Sequence, residues 1–237
     1  MANPDRQKQL ENFAEQLTIT FTRWELLDQA LTHASACNDN PNIYGHYENL
    51  EFLGDASLEL VVSDLLFSRN PNGTPGLFTQ MRAQIVNKKT LANVGRALNI
   101  APFIQLGKGE EHSGGRKRDA LIADCVEALL AAIYVDMGWE SVFQFVEQHF
   151  LEIIKSVEAS ANQMDYRSQL QHYCQSQKMD LPEFRIVKEE GPDHDKMFEI
   201  EVYLGKEKFG LGRGTSKKAA EQEAARQTLS IKGVAQP

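Results

Sequence analysis

Apolar residues recur every three to four positions from about residue 5 to residue 157, with few β-branched runs, which is the period of amphipathic and buried helices. The spacing predicts helices over about 6–17, 23–32, 46–69, 77–99, 118–137 and 139–158. Clusters of Asn, Pro and Gly at residues 38–42, 70–76 and 107–115 mark loops between them. The polar residues 159–163 read as a short linker. Beyond them the period changes. A helix at about 165–178 precedes three candidate strands, Glu183–Glu190, Lys196–Leu204 and Lys206–Gly214, where Phe198, Ile200, Val202 and Leu204 alternate with polar residues. A last helix follows from about Ser216 to Ile231. The expected architecture is an all-α N-terminal domain (1–158) joined to an α+β domain of α-β-β-β-α order (164–233).

With 42% hydrophobic and 24% charged residues over 237 positions, the chain has the composition of ordinary globular domains. No stretch approaches 18 consecutive apolar residues and the first residues are polar, so neither membrane insertion nor export is expected, and a cytoplasmic setting is. Cys37, Cys125 and Cys174 are odd in number and widely spaced, which predicts reduced thiols and no zinc or redox pair. A net charge of −8 argues at first against a nucleic-acid partner. The distribution reverses that argument: residues 164–237 carry 12 basic and 12 acidic side chains, so the whole excess lies N-terminal to them.

That acidic excess includes two groups at helical spacing. Glu48, Glu51 and Asp55 stand at i, i+3 and i+7 of a segment otherwise rich in apolar residues, and Asp55 falls where a core residue is expected. Asp124 and Glu127 stand at i and i+3 in a segment of Ala, Leu and Ile that reads as buried on most sides, where an unpaired carboxylate costs several kcal/mol (about 2–7 for a polar group, more for a charge). Two such helices side by side would pool five carboxylates, and a shared divalent cation with hard-oxygen preference, Mg2+, would relieve their repulsion. The plainer reading is a solvated acidic face.

In the C-terminal part, the segment Gly210 to Glu221 reads as a glycine-rich turn entering a helix whose first turn holds Lys217 and Lys218, a combination suited to phosphate oxygens. Capping with solvated lysines is the alternative. The turn around Gly191-Pro192 presents His194, and the preceding helix offers Ser168 and Gln171 on one face. With Leu170-Gln171, the Gly-Pro-x-His loop and Gly-x-Gly-x-Ser-Lys-Lys-x-Ala-Glu, the segment resembles a double-stranded-RNA-binding domain. The resemblance implies that Ser168, Gln171 and His194 enter minor grooves while Lys217 and Lys218 meet phosphates, with weak sequence preference.

The N-terminal part resembles the ribonuclease III nuclease domain through Ala30 to Ser35, Glu48 to Asp55, Met81-Arg82-Ala83, Gly114-Gly115 and Ile122 to Ala128. The resemblance implies Mg2+ (Mn2+ substituting) held by Glu51, Asp55, Asp124 and Glu127, with Asp55 and Glu127 catalytic. It assigns Glu48 to RNA binding or dimer geometry. It further implies a homodimer that cuts double-stranded RNA to 5′-phosphate and 3′-hydroxyl ends with two-nucleotide 3′ overhangs, in processing of ribosomal, messenger and other structured RNAs. Phe52, Leu53 and the stretch Leu58 to Phe67 are more apolar than one subunit's helices can bury, which is compatible with a dimer.

One position departs from that family: Pro75 stands where Glu is frequent before the glycine of the Met/Leu-Arg-Ala helix, and no other acid lies between residues 65 and 81. This leaves two other readings to test, a double-stranded-RNA-binding regulator that does not cut and a metal-dependent hydrolase of free nucleotides. His33 reads as hydrogen-bonded within the helical core rather than as a base. Arg116, Lys117 and Arg118 either meet phosphates or are solvated.

Overall fold

The computed structural model describes residues 4–43, 45–71, 73–164, 166–192 and 196–234. The chain falls into two compact units, Met1–Val157 and Glu158–Pro237. The first is helical: α1 (Pro4–Gln16), α2 (Trp24–Ala30), α3 (Ala34–Asp39), α4 (Glu48–Arg69), α5 (Pro75–Ile85), α6 (Lys88–Ala97), α7 (Lys108–His112), α8 (Asp119–Met137) and α9 (Trp139–Met164), the last running past the unit's end.

The centre of this unit is α8, whose Ala, Leu and Ile side chains are buried around its circumference from Leu121 to Ile133. Helices α4 and α6 pack on it, each at a glycine. A Cβ on Gly54 of α4 would lie 1.7 Å from the carbonyl oxygen of Glu127, and one on Gly95 of α6 would lie 2.5 Å from Ile122 Cγ2. At Gly54 only glycine permits the two backbones to approach so closely, and at Gly95 only glycine leaves room for the Ile122 and Val126 side chains.

The residues expected as one helix over 77–99 form two. Asn87 lies between them in extended conformation and its side chain accepts the N–H of Thr90, a cap that stops α5 and starts α6 without glycine or proline. Residues 159–163, expected as a linker, are instead helical within α9, since no helix-breaking residue occurs there.

The second unit comprises α10 (Tyr166–Ser176), β1 (Glu183–Glu190), β2 (Met197–Leu204), β3 (Glu207–Gly214) and α11 (Lys217–Ile231). The sheet is antiparallel in the order β1-β2-β3, with Ile200 opposite Ile186 on one side and Gly212 on the other. Phe198, Ile200, Val202 and Leu204 form the buried face of β2, packed with Leu170, Cys174, Ala220, Ala224, Ala225 and Leu229. Gly210, Gly212 and Gly214, read both as the end of the strand 206–214 and as a glycine-rich turn, belong to β3, so the strand reading holds and the turn reading does not. A Cβ at Gly210 or Gly212 would lie 2.2 Å from Ala224 O or 2.1 Å from Ala220 O, so these glycines let α11 lie directly on the strand rather than cradle phosphate.

Candidate functional site

The close approach of α4 to α8 at Gly54 brings their acidic residues to one seam. Ligand oxygens of Glu51, Asp124 and Glu127 all lie within 4.8 Å of one another. At about 100° per residue, Glu51 is about 60° around α4 from Gly54, Asp55 about 100° and Glu48 about 120°. Burial follows that order of angles: Glu51 is half-buried, whereas Asp55 and Glu48 are exposed. The expectation that Asp55 occupies a core position is therefore corrected, because the residue that takes the core direction there is Gly54. Asp55 stands at the rim of the centre and still presses on its charge.

Glu127 is 7% exposed and Asp124's side chain 15%. Burial, then the charges of Asp55, Asp124 and Glu51, push the Glu127 carboxyl up to about 8. Burial and Asp124 raise Glu51 as well. Three carboxylates this close, with the innermost holding its proton to such a pH, form a hard-oxygen set that a divalent cation would stabilise, and the donor chemistry fits Mg2+ or Mn2+.

Two residues not anticipated from the sequence complete the surroundings. Lys88, the first residue of α6, donates from Nζ to Asp124 Oδ1 at 3.1 Å, and that bond raises its proton affinity. Tyr47 is buried beneath the centre, its amide bonded to Thr32 O at 3.0 Å, and burial followed by the neighbouring acidic groups keeps its hydroxyl protonated far above neutrality. Only a spacing argument from α6 to α8 could have suggested Lys88, and that required their relative position.

His33 has a structural task, as expected. It caps α3, with Nδ1 2.7 Å from Ser35 Oγ and the Ser35 amide 3.2 Å away, and its ring lies 5.7 Å from that of Tyr47. Arg116 is not simply solvated: it binds the carbonyls of Ala101 (2.5 Å) and Ile104 (2.8 Å) and the Glu111 carboxylate, fastening the loop before α8. Arg118 pairs with Glu110, and Lys117 is exposed.

Away from the acidic seam, α4 leaves Phe52 82%, Leu60 58% and Phe67 65% exposed. Leu60, Phe67, Pro75, Phe78 and Trp139 border a groove of about 700 Å3. Pro75 sits at the start of α5, capped by Thr74, whose hydroxyl accepts from the Leu77 amide at 3.3 Å. This is where proline's missing N–H is no loss.

In the second unit, Arg167 ties α10 to α11: Nη1 meets Glu221 at 2.6 Å and its amide meets Gln222 at 3.1 Å. This tie joins the start of α10, where Ser168 is half-buried and Gln171 exposed, to the start of α11. There Ser216 caps the helix through the Ala219 amide (3.1 Å), and Lys217 and Lys218 are exposed in its first turn. Lys217 Nζ lies 5.6 Å above the Phe198 ring. His194 lies outside the described residues.

These features agree with comparison to known proteins. Residues 24–154 match the family model described as ribonuclease-III-like, and residues 166–231 match the double-stranded RNA binding motif. Ribonuclease 3 of Borreliella burgdorferi is 39% identical over 225 residues, covering 95% of this chain and 92% of its own length. That of Anoxybacillus flavithermus is 43% identical over 221 residues, covering 93% and 92%. A solved nuclease domain of ribonuclease III from Campylobacter jejuni, described as flexible in a region involved in dimer formation, superposes with a TM-score of 0.55 at 34% identity, over 60% of this chain and 99% of its own. Helical nuclease fold, acidic seam and α-β-β-β-α domain thus occur together in one chain, which belongs to the ribonuclease III family of endoribonucleases.

Proposed function

We propose that this chain is a Mg2+-dependent endoribonuclease acting on double-stranded RNA, with Mn2+ able to substitute. The observation that carries the reading is the convergence of Glu51, Asp124 and Glu127 within 4.8 Å at a buried helix seam. Glu51, Asp124 and Glu127 would hold the metal, with Asp55, exposed on α4 and close enough to act on the Glu127 charge, as the fourth acid assigned to it. Bound there, the ion would lower the pKa of a water molecule and offset charge developing on the phosphate.

In the hydrolysis, water attacks phosphorus, the bond to the 3′ oxygen breaks, and that oxygen takes up a proton. The products are a 5′-phosphate and a 3′-hydroxyl. Asp55 and Glu127 are the residues proposed to be catalytic. Exposed Lys217 and Lys218 offer charge to phosphates of a duplex, while Gln171 and Ser168 on α10, with Glu48 near the centre and His194, are the further residues assigned to RNA.

Two copies of the chain would join through the exposed apolar stripe Phe52, Leu60 and Phe67, each copy cutting one strand with a two-nucleotide 3′ stagger. Ribosomal, messenger and other structured RNA precursors are the proposed substrates. A cytoplasmic setting accords with these substrates and with three free cysteines, and no helix among the described residues is long and apolar enough to cross a membrane. The alternative, a binding regulator that does not cut, draws on the missing acid at Pro75; Pro75 opens α5 without strain, and against that reading stands the acidic centre of Glu51, Asp124 and Glu127, which a chain that only binds RNA would not need. A labelled RNA duplex of about 30 base pairs, long enough for the ~16 base pairs such a domain spans, tests the proposal. Discrete fragments in Mg2+ and none in EDTA are expected; a shifted but uncut duplex in Mg2+ would leave only a binding protein.

A further inference from the structure

Lys88 and Lys89 occupy the first turn of α6, which contains no acidic residue. Positive charge is disfavoured there, because the helix dipole already places its positive end at the N-terminus. The position is nevertheless fixed: α6 is seated on α8 through Gly95, and Asn87 caps it, so Lys88 is delivered to the acidic seam by the scaffold. Its ammonium meets Asp124 Oδ1 at 3.1 Å, the same carboxylate that belongs to the cluster with Glu51 and Glu127. Lys88 itself remains largely exposed, with room to swing away from Asp124, whereas Asp124 does not leave the seam.

From this arrangement we propose that Lys88 is a positioning residue with two alternating partners: it holds Asp124 while the acidic centre carries no metal, and turns to a backbone phosphate of the RNA once a divalent cation takes Asp124. The inference rests on the metal reading above. No covalent step is involved, only the exchange of one ion pair for two. The paired state keeps Asp124 ordered and moderates the mutual repulsion of three carboxylates. Metal entry must displace the ammonium, so Lys88 competes with the ion it prepares for.

The two partners give opposite signs on removal, which a purely structural lysine would not. Calorimetric titration of the full chain with Mn2+, without RNA, is expected to show Lys88→Gln binding the metal about 3- to 10-fold more tightly than the unsubstituted chain. At saturating Mg2+ the same variant is expected to raise KM for duplex RNA about threefold with kcat within about twofold, and to lower the salt slope of binding by about one. Lys89→Gln removes the same charge one residue away and is expected to leave metal affinity within about twofold. Lys88→Arg is expected to restore both values towards those of the unsubstituted chain. Unchanged or weakened Mn2+ affinity in Lys88→Gln, or an equal gain in Lys89→Gln, overturns the proposal while the metal reading stands. Absence of any Mn2+ binding by the unsubstituted chain overturns both.

Discussion

The two units place charge in opposite ways. In the helical unit the carboxylates of Glu51, Asp124 and Glu127 are drawn into a seam between α4 and α8, where burial and mutual repulsion push Glu127 up to about 8. In the smaller unit Lys217 and Lys218 stand exposed at the start of α11. The first arrangement opposes stability and requires a packed scaffold; the second costs little and needs only a capped helix. Chemistry on a phosphate calls for groups held in fixed positions and partly desolvated, whereas binding a regular duplex calls for charge that can follow the backbone.

The most severe way to break this contrast is Gly54→Ala. With a Cβ 1.7 Å from Glu127 O, α4 and α8 must separate, which is expected to destabilise the helical unit by about 3 kcal/mol or more and abolish cleavage. Thermal unfolding followed by circular dichroism checks the first and the duplex gel the second. A chain that melts normally and still cuts would show that close helix contact is not what assembles the centre.

A smaller effect is expected from Lys217→Ala with Lys218→Ala. Duplex binding should weaken about tenfold at moderate salt and the slope of log affinity against log salt should fall by about two, with the thermal midpoint unchanged. Filter binding over a salt series measures this. An unchanged slope would remove the lysines from the interface.

The smallest effect sharpens the electrostatic side. Because the folded chain holds the Glu127 proton up to about 8 while the unfolded chain releases it near the ordinary carboxylate range, ionisation favours the unfolded state between those values. Without metal, stability should therefore fall by more than about 1 kcal/mol as pH rises from about 4.5 to about 8, then level off. Added Mg2+ should reverse the loss at high pH, and Glu127→Gln should flatten it. Urea unfolding at several pH values, with and without Mg2+, provides the test, and a pH-independent contribution from Glu127 would contradict the buried-charge account.

Much of this organisation is legible in the sequence, for identifiable reasons. Helix α4 and strand β2 follow from apolar periods near 3.6 and 2, and α8 from a run of Ala, Leu and Ile too long for a strand. That the acids of α4 would meet Asp124 and Glu127 of α8 was accessible because carboxylates in apolar helices demand partners, whereas spacing alone did not single out Glu51 from Glu48 and Asp55. What escaped depends on tertiary placement. The break between α5 and α6 rests on one Asn87 cap among good helix formers. The exposure of Asp55 depends on which direction around α4 meets α8, which Gly54 decides. The glycines of β3 imitate a phosphate loop locally and serve helix packing in fact. Lys88 is 36 positions from Asp124, and nothing local joins them.

The central claim is that cutting resides in the helical unit while most of the grip on the duplex comes from the smaller one, and the most direct test is Glu127→Gln assayed for both on one preparation. The account predicts no detectable cleavage of duplex RNA in Mg2+, with duplex affinity within about twofold of the unsubstituted chain, since the amide removes a carboxylate without touching Lys217 or Lys218. Cleavage that persists, or affinity that falls together with it, would contradict the division.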